Sequence, residues 1–98
     1  MSSRGVAARF GGEEFAVLLA DTDAQSALEI AEQFRAAVHD NPIATSLGPV
    51  PVTVSIGISE RADCQSPRSL MQRADAALYQ AKKLGRNCVA TTQDTPPA

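Results

Sequence analysis

Two adjacent carboxylates follow a pair of glycines near the start of the chain, in the run Gly11-Gly12-Glu13-Glu14. Hard divalent cations prefer oxygen ligands, and Mg²⁺ commonly binds one or two carboxylates together with substrate phosphates. Glycines at a tight turn also let a phosphate or a base approach the backbone. The spacing therefore indicates a magnesium site at a turn, with an ordinary turn and solvated glutamates as the competing interpretation.

A second group of polar side chains is spaced for a helix near the end of the sequence. The group recurs at i, i+4, i+7 and i+11, along one helix face, and consists of Asp75, Tyr79, Lys82 and Arg86. The cations at its end, with Lys83 beside them, suit the negative end of the helix dipole without any ligand. Such a cluster can equally bind a triphosphate. The spacing leaves both interpretations open.

Other residue types give weaker signals. His39 is near a predicted helix end, where a solvated cap is the expected role. Ser55 lies within a strand pattern and lacks the G-x-S-x-G elbow of hydrolases, and the sequence has no G-x-x-x-x-G-K-[ST] phosphate loop. Cys64 and Cys88 form no C-x-x-C pair. Reduced thiols are therefore favoured over a disulfide framework or a zinc site.

The composition places these residues in one small domain. The chain has 98 residues, of which 44% are hydrophobic and 20% charged, and a formal net charge of -2. This balance excludes wholesale disorder and argues against a protein that coats nucleic acid or anionic membranes. No run approaches the roughly 18 apolar residues of a membrane span, and no signal-peptide core follows Met1. We therefore expect a cytoplasmic protein that contacts neither nucleic acid nor membrane.

The first half of the chain predicts a hairpin and a helix. Val6–Phe10 and Glu13–Ala20 flank the glycine pair, a pattern typical of a β-hairpin. Both faces of the second arm are apolar, which predicts that this strand is covered on both sides, as in a layered α/β domain. Asp21–Asp23 supplies caps for a helix over Ala24–Val38, whose apolar stripe has helical spacing. The stripe consists of Ala24, Ala27, Leu28, Ala31, Phe34 and Val38.

The second half predicts a further strand and a second helix. Five apolar residues alternate with polar or small ones over Val50–Ile58, which predicts a strand, after Ile43–Leu47 and a Gly48–Pro49 turn. The second helix is predicted over Pro67–Leu84, with Ser66 as N-cap and Gly85 as its stop. Its inward positions are expected to be Leu70, Ala74, Ala77, Leu78 and Ala81. A short strand over 87–90 and a flexible tail over 91–98 complete the prediction.

Three segments of the chain carry family motifs: RFGGEEF at 9–15, TVSIGI at 53–58 and RADAALYQAKKLGRN at 73–87. They resemble the signature of the GGDEF family of diguanylate cyclases in its GGEEF form, the strand that follows it, and the C-terminal helix motif. The resemblance covers residues 5–90. It implies an α+β fold, with a palm-like, mostly antiparallel sheet of the nucleotide cyclase type and two long helices.

The resemblance also implies an activity and roles for the candidate residues. The family condenses two GTP molecules into cyclic di-GMP and releases pyrophosphate, with Mg²⁺ or Mn²⁺, in a homodimer of antiparallel domains. By resemblance, Gly11–Gly12 forms the turn against the nucleotide. Glu13 is a metal ligand and the base for the ribose 3′-hydroxyl, and Glu14 assists at the metal. Lys82 and Arg86 hold the β- and γ-phosphates.

The chain departs from the family pattern in the inhibitory motif R-x-x-D. Alignment on Arg9 puts the motif's arginine at Ser2 and its aspartate at Gly5, and Arg4 is out of register. We therefore expect no inhibitory site of this kind.

The resemblance places a further strand and two helices of the family before Met1, together with an aspartate metal ligand and the residues that read guanine. We therefore expect the chain alone to be inactive or only weakly active. We also expect the sheet to close by repacking or by a swapped second copy, since unpaired edges are costly. The alternative function is a non-catalytic remnant for dimerisation or partner binding. An upstream sensory or receiver domain belongs to the intact family architecture.

Overall fold

The computed structural model describes residues 5–11, 15–61 and 66–91 of the chain. The secondary-structure elements are β1 (Gly5–Gly11), β2 (Phe15–Ala20), α1 (Ala24–Asp40), β3 (Ile43–Thr45), β4 (Gly48–Val50), β5 (Ser55–Glu60), α2 (Pro67–Lys83) and β6 (Val89–Thr91). The predicted order is confirmed for these residues except between the helices, where three strands replace the expected two. The predicted turn at Gly48–Pro49 is wrong, because Thr45 pairs with Gly48 and the turn falls at residues 46–47. Of the predicted flexible tail, residues 91–98, only Thr91 is among the described residues, and it belongs to β6.

The main sheet has the strand order β2-β1-β5-β6. β1 runs antiparallel to both β2 and β5, and β5 runs parallel to β6. This confirms the predicted α+β fold with a mostly antiparallel sheet. The predicted hairpin is confirmed by the β1–β2 register, in which Phe10 pairs with Phe15. Its turn, residues 12–14, lies outside the described residues.

β1 pairs directly with β5, from Val6 opposite Glu60 to Gly11 opposite Ser55. The sheet is therefore continuous from the hairpin to β5 within one chain. The sheet is thus closed by direct pairing of β1 with β5.

The predicted strand over Val50–Ile58 is wrong in its first half. β4 ends at Val50, residues 51–54 belong to no strand, and β5 begins at Ser55. Pro51 has no N–H to donate to a ladder, which disfavours further pairing at the position where β4 ends. Val50 instead pairs with Ile43 in a small separate hairpin, β3–β4, whose residues are mostly exposed.

β1 and β5 are covered on both faces. One face packs against α1 in a core that includes Phe10, Ile56 and Ile58, together with Ala27 of the helix. On the other face, Ala7 packs against α2. Successive strand residues point to opposite faces, so Ser55, Gly57 and Ser59 share the α2 side. β1 and β5 thus have covering layers on both faces. The sequence prediction of two-sided covering concerned β2, most of whose side chains lie outside the described residues.

α1 follows the prediction at its start and departs from it on its buried face. The Asp23 side chain caps the helix by accepting the Ser26 N–H at 2.8 Å. The buried residues of the helix are Ala27 and Ala31. Phe34 of the predicted stripe is 45% exposed, although its ring meets Phe10 edge-on at 5.4 Å. The fully buried part of the stripe is therefore narrower than predicted, although Phe34 and Val38 still contact the core.

α2 follows the prediction closely. Ser66 caps the helix in a reciprocal capping box with Ser69, and Pro67 occupies the first turn. All the predicted inward positions are buried: Leu70, Ala74, Ala77, Leu78 and Ala81. The small side chains let the helix lie close to the sheet, which fixes the distance between β1 and the polar face of α2.

Candidate functional site

The start of the glycine turn and the end of α2 lie at the same edge of the sheet. Gly11, the last residue of β1, pairs with Ser55, the first of β5. Ser55 Oγ in turn accepts the backbone N–H of Asn87 at 3.1 Å. Asn87 directly follows Arg86 in the loop after α2. The register and one hydrogen bond therefore bring the glycine signature and Arg86 to one end of the molecule.

α2 ends in a Schellman motif, which turns the chain towards this edge. The Gly85 N–H donates to Lys82 O at 3.4 Å, and the Arg86 N–H donates to Ala81 O at 3.0 Å. Gly85 has a φ of 116°, which glycine adopts without steric cost. The predicted stop at Gly85 is confirmed.

A cleft of about 240 Å³ lies between β1 and α2. Its lining residues are Arg9, Asp75, Leu78, Tyr79 and Lys82. Three members of the sequence-predicted stripe thus line one cleft. Arg86 lies beyond it in the loop, exposed to solvent. The cleft carries two cations and one carboxylate, which favours an anionic ligand.

Arg9 lines the cleft and links β1 to α2 through an ion pair with Asp75. Its Nε lies 3.1 Å from Asp75 Oδ1, and its side chain is 25% exposed. The sequence motifs did not indicate Arg9 as a site residue. The available signal was its place two residues before the glycine pair, on the same strand face as Ala7, which packs against α2.

Comparison with known proteins settles the family of this fold. The chain matches the family model described as "Diguanylate cyclase, GGDEF domain" over residues 1–88. The chain belongs to the GGDEF family. It is 42% identical over 92 residues to Diguanylate cyclase A of Treponema denticola, covering 93% of this chain and 25% of that relative. The chain thus spans a quarter of that relative's length.

Solved GGDEF structures have the same fold. The coiled coil and GGDEF domain of DgcB from Caulobacter crescentus, in complex with c-di-GMP, is 34% identical with a TM-score of 0.73, covering 88% of this chain and 47% of that one. Diguanylate cyclase SiaD from Pseudomonas aeruginosa, in complex with its activator SiaC, is 23% identical with a TM-score of 0.81, covering 91% and 50%. At 23% identity, the similarity to SiaD shows a shared fold only.

The basic cluster of this GGDEF domain divides into side chains with different surroundings. Lys82 is half-buried in the cleft. Lys83 lies with Nζ 5.4 Å from the centre of the Tyr79 ring, a cation–π contact at an exposed site. Lys82 thus lines the cleft, Lys83 lies against the Tyr79 ring, and Arg86 is exposed in the loop that follows α2.

The remaining candidates occupy structural positions. His39 is exposed near the end of α1, with Nδ1 3.0 Å from Asp40, as expected for a solvated residue. Ser55 is buried, and its Oγ accepts the backbone N–H of Asn87. The Cys88 thiol donates to Ala81 O at 3.2 Å. Cys64 lies outside the described residues.

The carboxylates of the signature, Glu13 and Glu14, lie with Gly12 outside the described residues, so their predicted roles stay predictions. Within 5–11, 15–61 and 66–91, no three His, Cys, Asp or Glu side chains come together as metal ligands. No helix in those ranges is long and apolar enough to cross a membrane.

The Arg9–Asp75 ion pair is expected to contribute only modestly to the free energy of unfolding. Asp75→Asn in this GGDEF domain should lower the free energy of unfolding by about 1 kcal/mol or less, because Asp75 is largely solvated. Urea denaturation followed by circular dichroism measures the difference, and 1 M NaCl should shrink it. An effect that persists at high salt would contradict an ion pair as its source.

Proposed function

We propose that this GGDEF domain binds GTP for the condensation of two GTP molecules into cyclic di-GMP, with release of pyrophosphate. The supporting observation is that Gly11 and the loop carrying Arg86 meet at one sheet edge through the Ser55–Asn87 hydrogen bond. The names of the curated relatives point to the same reaction.

Lys82 and Arg86 would bind the β- and γ-phosphates. A triphosphate carries several negative charges, and phosphoryl-type transfer depends mainly on positioning and charge neutralisation. The Gly11–Gly12 turn would let the nucleotide approach the backbone. Glu13 would accept the proton of a ribose 3′-hydroxyl as that oxygen bonds to the α-phosphorus of the second GTP and pyrophosphate leaves.

Glu13 and Glu14 are suitable ligands for Mg²⁺ or Mn²⁺, because both offer hard carboxylate oxygens and GTP supplies phosphate oxygens. The bound cation would neutralise phosphate charge during the transfer.

Formation of a cyclic dinucleotide favours a two-fold homodimer. Each GTP must present its 3′-hydroxyl to the α-phosphate of the other, and a two-fold axis satisfies both requirements at once. We place this protein in the cytoplasm, where GTP is available, and under control of an upstream sensory or receiver domain.

Product formation tests the catalytic proposal. The protein, incubated with GTP and Mg²⁺, should form cyclic di-GMP slowly, as resolved by chromatography. Glu13→Ala should lower the rate by about 10²- to 10⁴-fold, the usual contribution of a general base. The matched control is Glu29→Ala, an exposed residue of α1, which should keep the wild-type rate.

The alternative makes a different prediction for the same assay. A non-catalytic remnant would bind partners and yield no cyclic di-GMP at any protein concentration. A product unaffected by Glu13→Ala would contradict the proposed role of the signature carboxylates.

A further inference from the structure

Arg86 lies in a backbone conformation that arginine seldom adopts. Gly85, Arg86 and Asn87 have φ angles of 116°, 63° and 49°, so three successive residues have positive φ. Glycine adopts this region freely and asparagine tolerates it, whereas arginine meets a steric penalty there. Such residues persist where the surrounding contacts hold them. The contacts of this loop therefore determine where Arg86 is placed.

Asn87 supplies contacts to two other elements. Its backbone N–H donates to Ser55 Oγ of β5 at 3.1 Å. Its side-chain Oδ1 accepts from Arg35 Nη1 of α1 at 2.9 Å. Ser55 is 5% exposed and the Arg35 side chain 19%, so water competes little for these bonds. Asn87, the residue after Arg86, is thus hydrogen-bonded to both β5 and α1.

Arg35 is itself held in place by Glu32. Arg35 Nε donates to Glu32 Oε1 at 2.8 Å, one turn earlier on α1. This hydrogen bond holds the pKa of Glu32 below its usual value. Glu32 therefore stays ionised at neutral pH and keeps the guanidinium oriented towards Asn87.

We propose that Arg35 and Asn87 are positioning residues for Arg86 in binding the triphosphate of GTP. This inference rests on the function proposed above and adds a residue of α1 to the site. Arg35 acts through Asn87, whose side chain it bonds, and Asn87 fixes the path of the chain as it leaves Arg86. The phosphates contact Arg86 alone of the three.

The expected signature is weaker binding of Mg·GTP, measured as a raised Kd or KM. Arg86 would contact the phosphates of bound GTP, and a displaced guanidinium would lose part of that contact. Removing the part-buried Arg35–Asn87 hydrogen bond should raise KM, or the Kd for Mg·GTP, by about three- to tenfold.

The experiment uses the full chain and a double-mutant cycle. Arg35→Gln removes the donor to Asn87, and Asn87→Gly removes the acceptor while keeping a residue that tolerates positive φ. Arg68→Gln is the matched control, since it loses the same charge from an exposed position at the far end of α2. Mg·GTP binding is measured by calorimetry, with thermal unfolding recorded for every variant.

Arg86→Ala completes the cycle and separates positioning from stability. Arg35→Gln should weaken GTP binding in the wild-type background and have no further effect when Arg86 is already alanine. A merely structural effect would persist in both backgrounds and overturn the proposal, as would unchanged binding in Arg35→Gln and Asn87→Gly. If Arg86→Ala itself leaves GTP binding intact, the proposed role of Arg86 fails first, and the inference fails with it.

Discussion

Gly57→Ala is expected to lower the free energy of unfolding by about 3 kcal/mol, the upper part of the usual range for overpacking a core. A Cβ at this position would lie 2.1 Å from Leu78 N and 2.4 Å from Ala74 O. Both are backbone atoms of α2 and cannot rotate away. The helix would have to move off the sheet, which would open the contacts of α2 with β5.

The sheet offers a matched control for this substitution. At Gly5 an added Cβ would meet Leu19 O at 3.6 Å, an ordinary contact. Gly5→Ala should therefore change stability by about 0.5 kcal/mol or less. Urea denaturation followed by circular dichroism compares the two variants. Equal stability would show that α2 does not lie as close to β5 as the structure places it.

The substitution should also disturb the cleft. Gly57 pairs with Arg9 in the β1–β5 register, and α2 carries Lys82 on the opposite wall. Displacing the helix would move Lys82 away from Arg9. Folded Gly57→Ala protein should consequently bind GTP more weakly than Gly5→Ala protein.

Lys82→Gln and Arg86→Gln should each weaken GTP binding by about tenfold, as expected for loss of one charge-assisted hydrogen bond near the surface. Lys82 is half-buried in the cleft and Arg86 stands at the shared edge. The double variant should lose about 100-fold if the two contacts are independent. Calorimetric titration with Mg·GTP measures all three Kd values.

Lys83→Gln is the matched control for these variants. It removes the same charge from the same helical turn, but Lys83 lies against the Tyr79 ring. Its Kd for GTP should stay within about twofold of wild type, because a solvated charge contributes mainly long-range attraction that salt screens. If Lys82→Gln, Arg86→Gln and Lys83→Gln weaken GTP binding equally, GTP binding depends on overall charge and not on defined phosphate contacts.

The sequence predicted α2 almost completely, because local signals determine it. The Ser66-Pro67 start, the alanine-rich inward positions and the Gly85 stop all act within a few residues. The strand after β4 was predicted less well. Its alternating pattern continued across Pro51, a residue that disfavours ladder pairing, although residues 51–54 belong to no strand.

The contacts that build the site join residues far apart in the sequence. Arg35 and Asn87 are 52 positions apart, and periodicity along one helix cannot reveal such a partner. The Arg9–Asp75 pair likewise depends on how α2 lies across β1. Gly57 did carry a signal, since a glycine inside a strand pattern often marks a close backbone approach.

We propose that GTP binds where the glycine signature meets the end of α2. Titration of ¹⁵N-labelled protein with Mg·GTP, followed by amide chemical shifts, tests this binding site directly. We expect saturable shifts at Gly11, Lys82 and Arg86, with residues 25–33 of α1 unchanged. Shifts confined to α1, or no shifts at millimolar nucleotide, would contradict it.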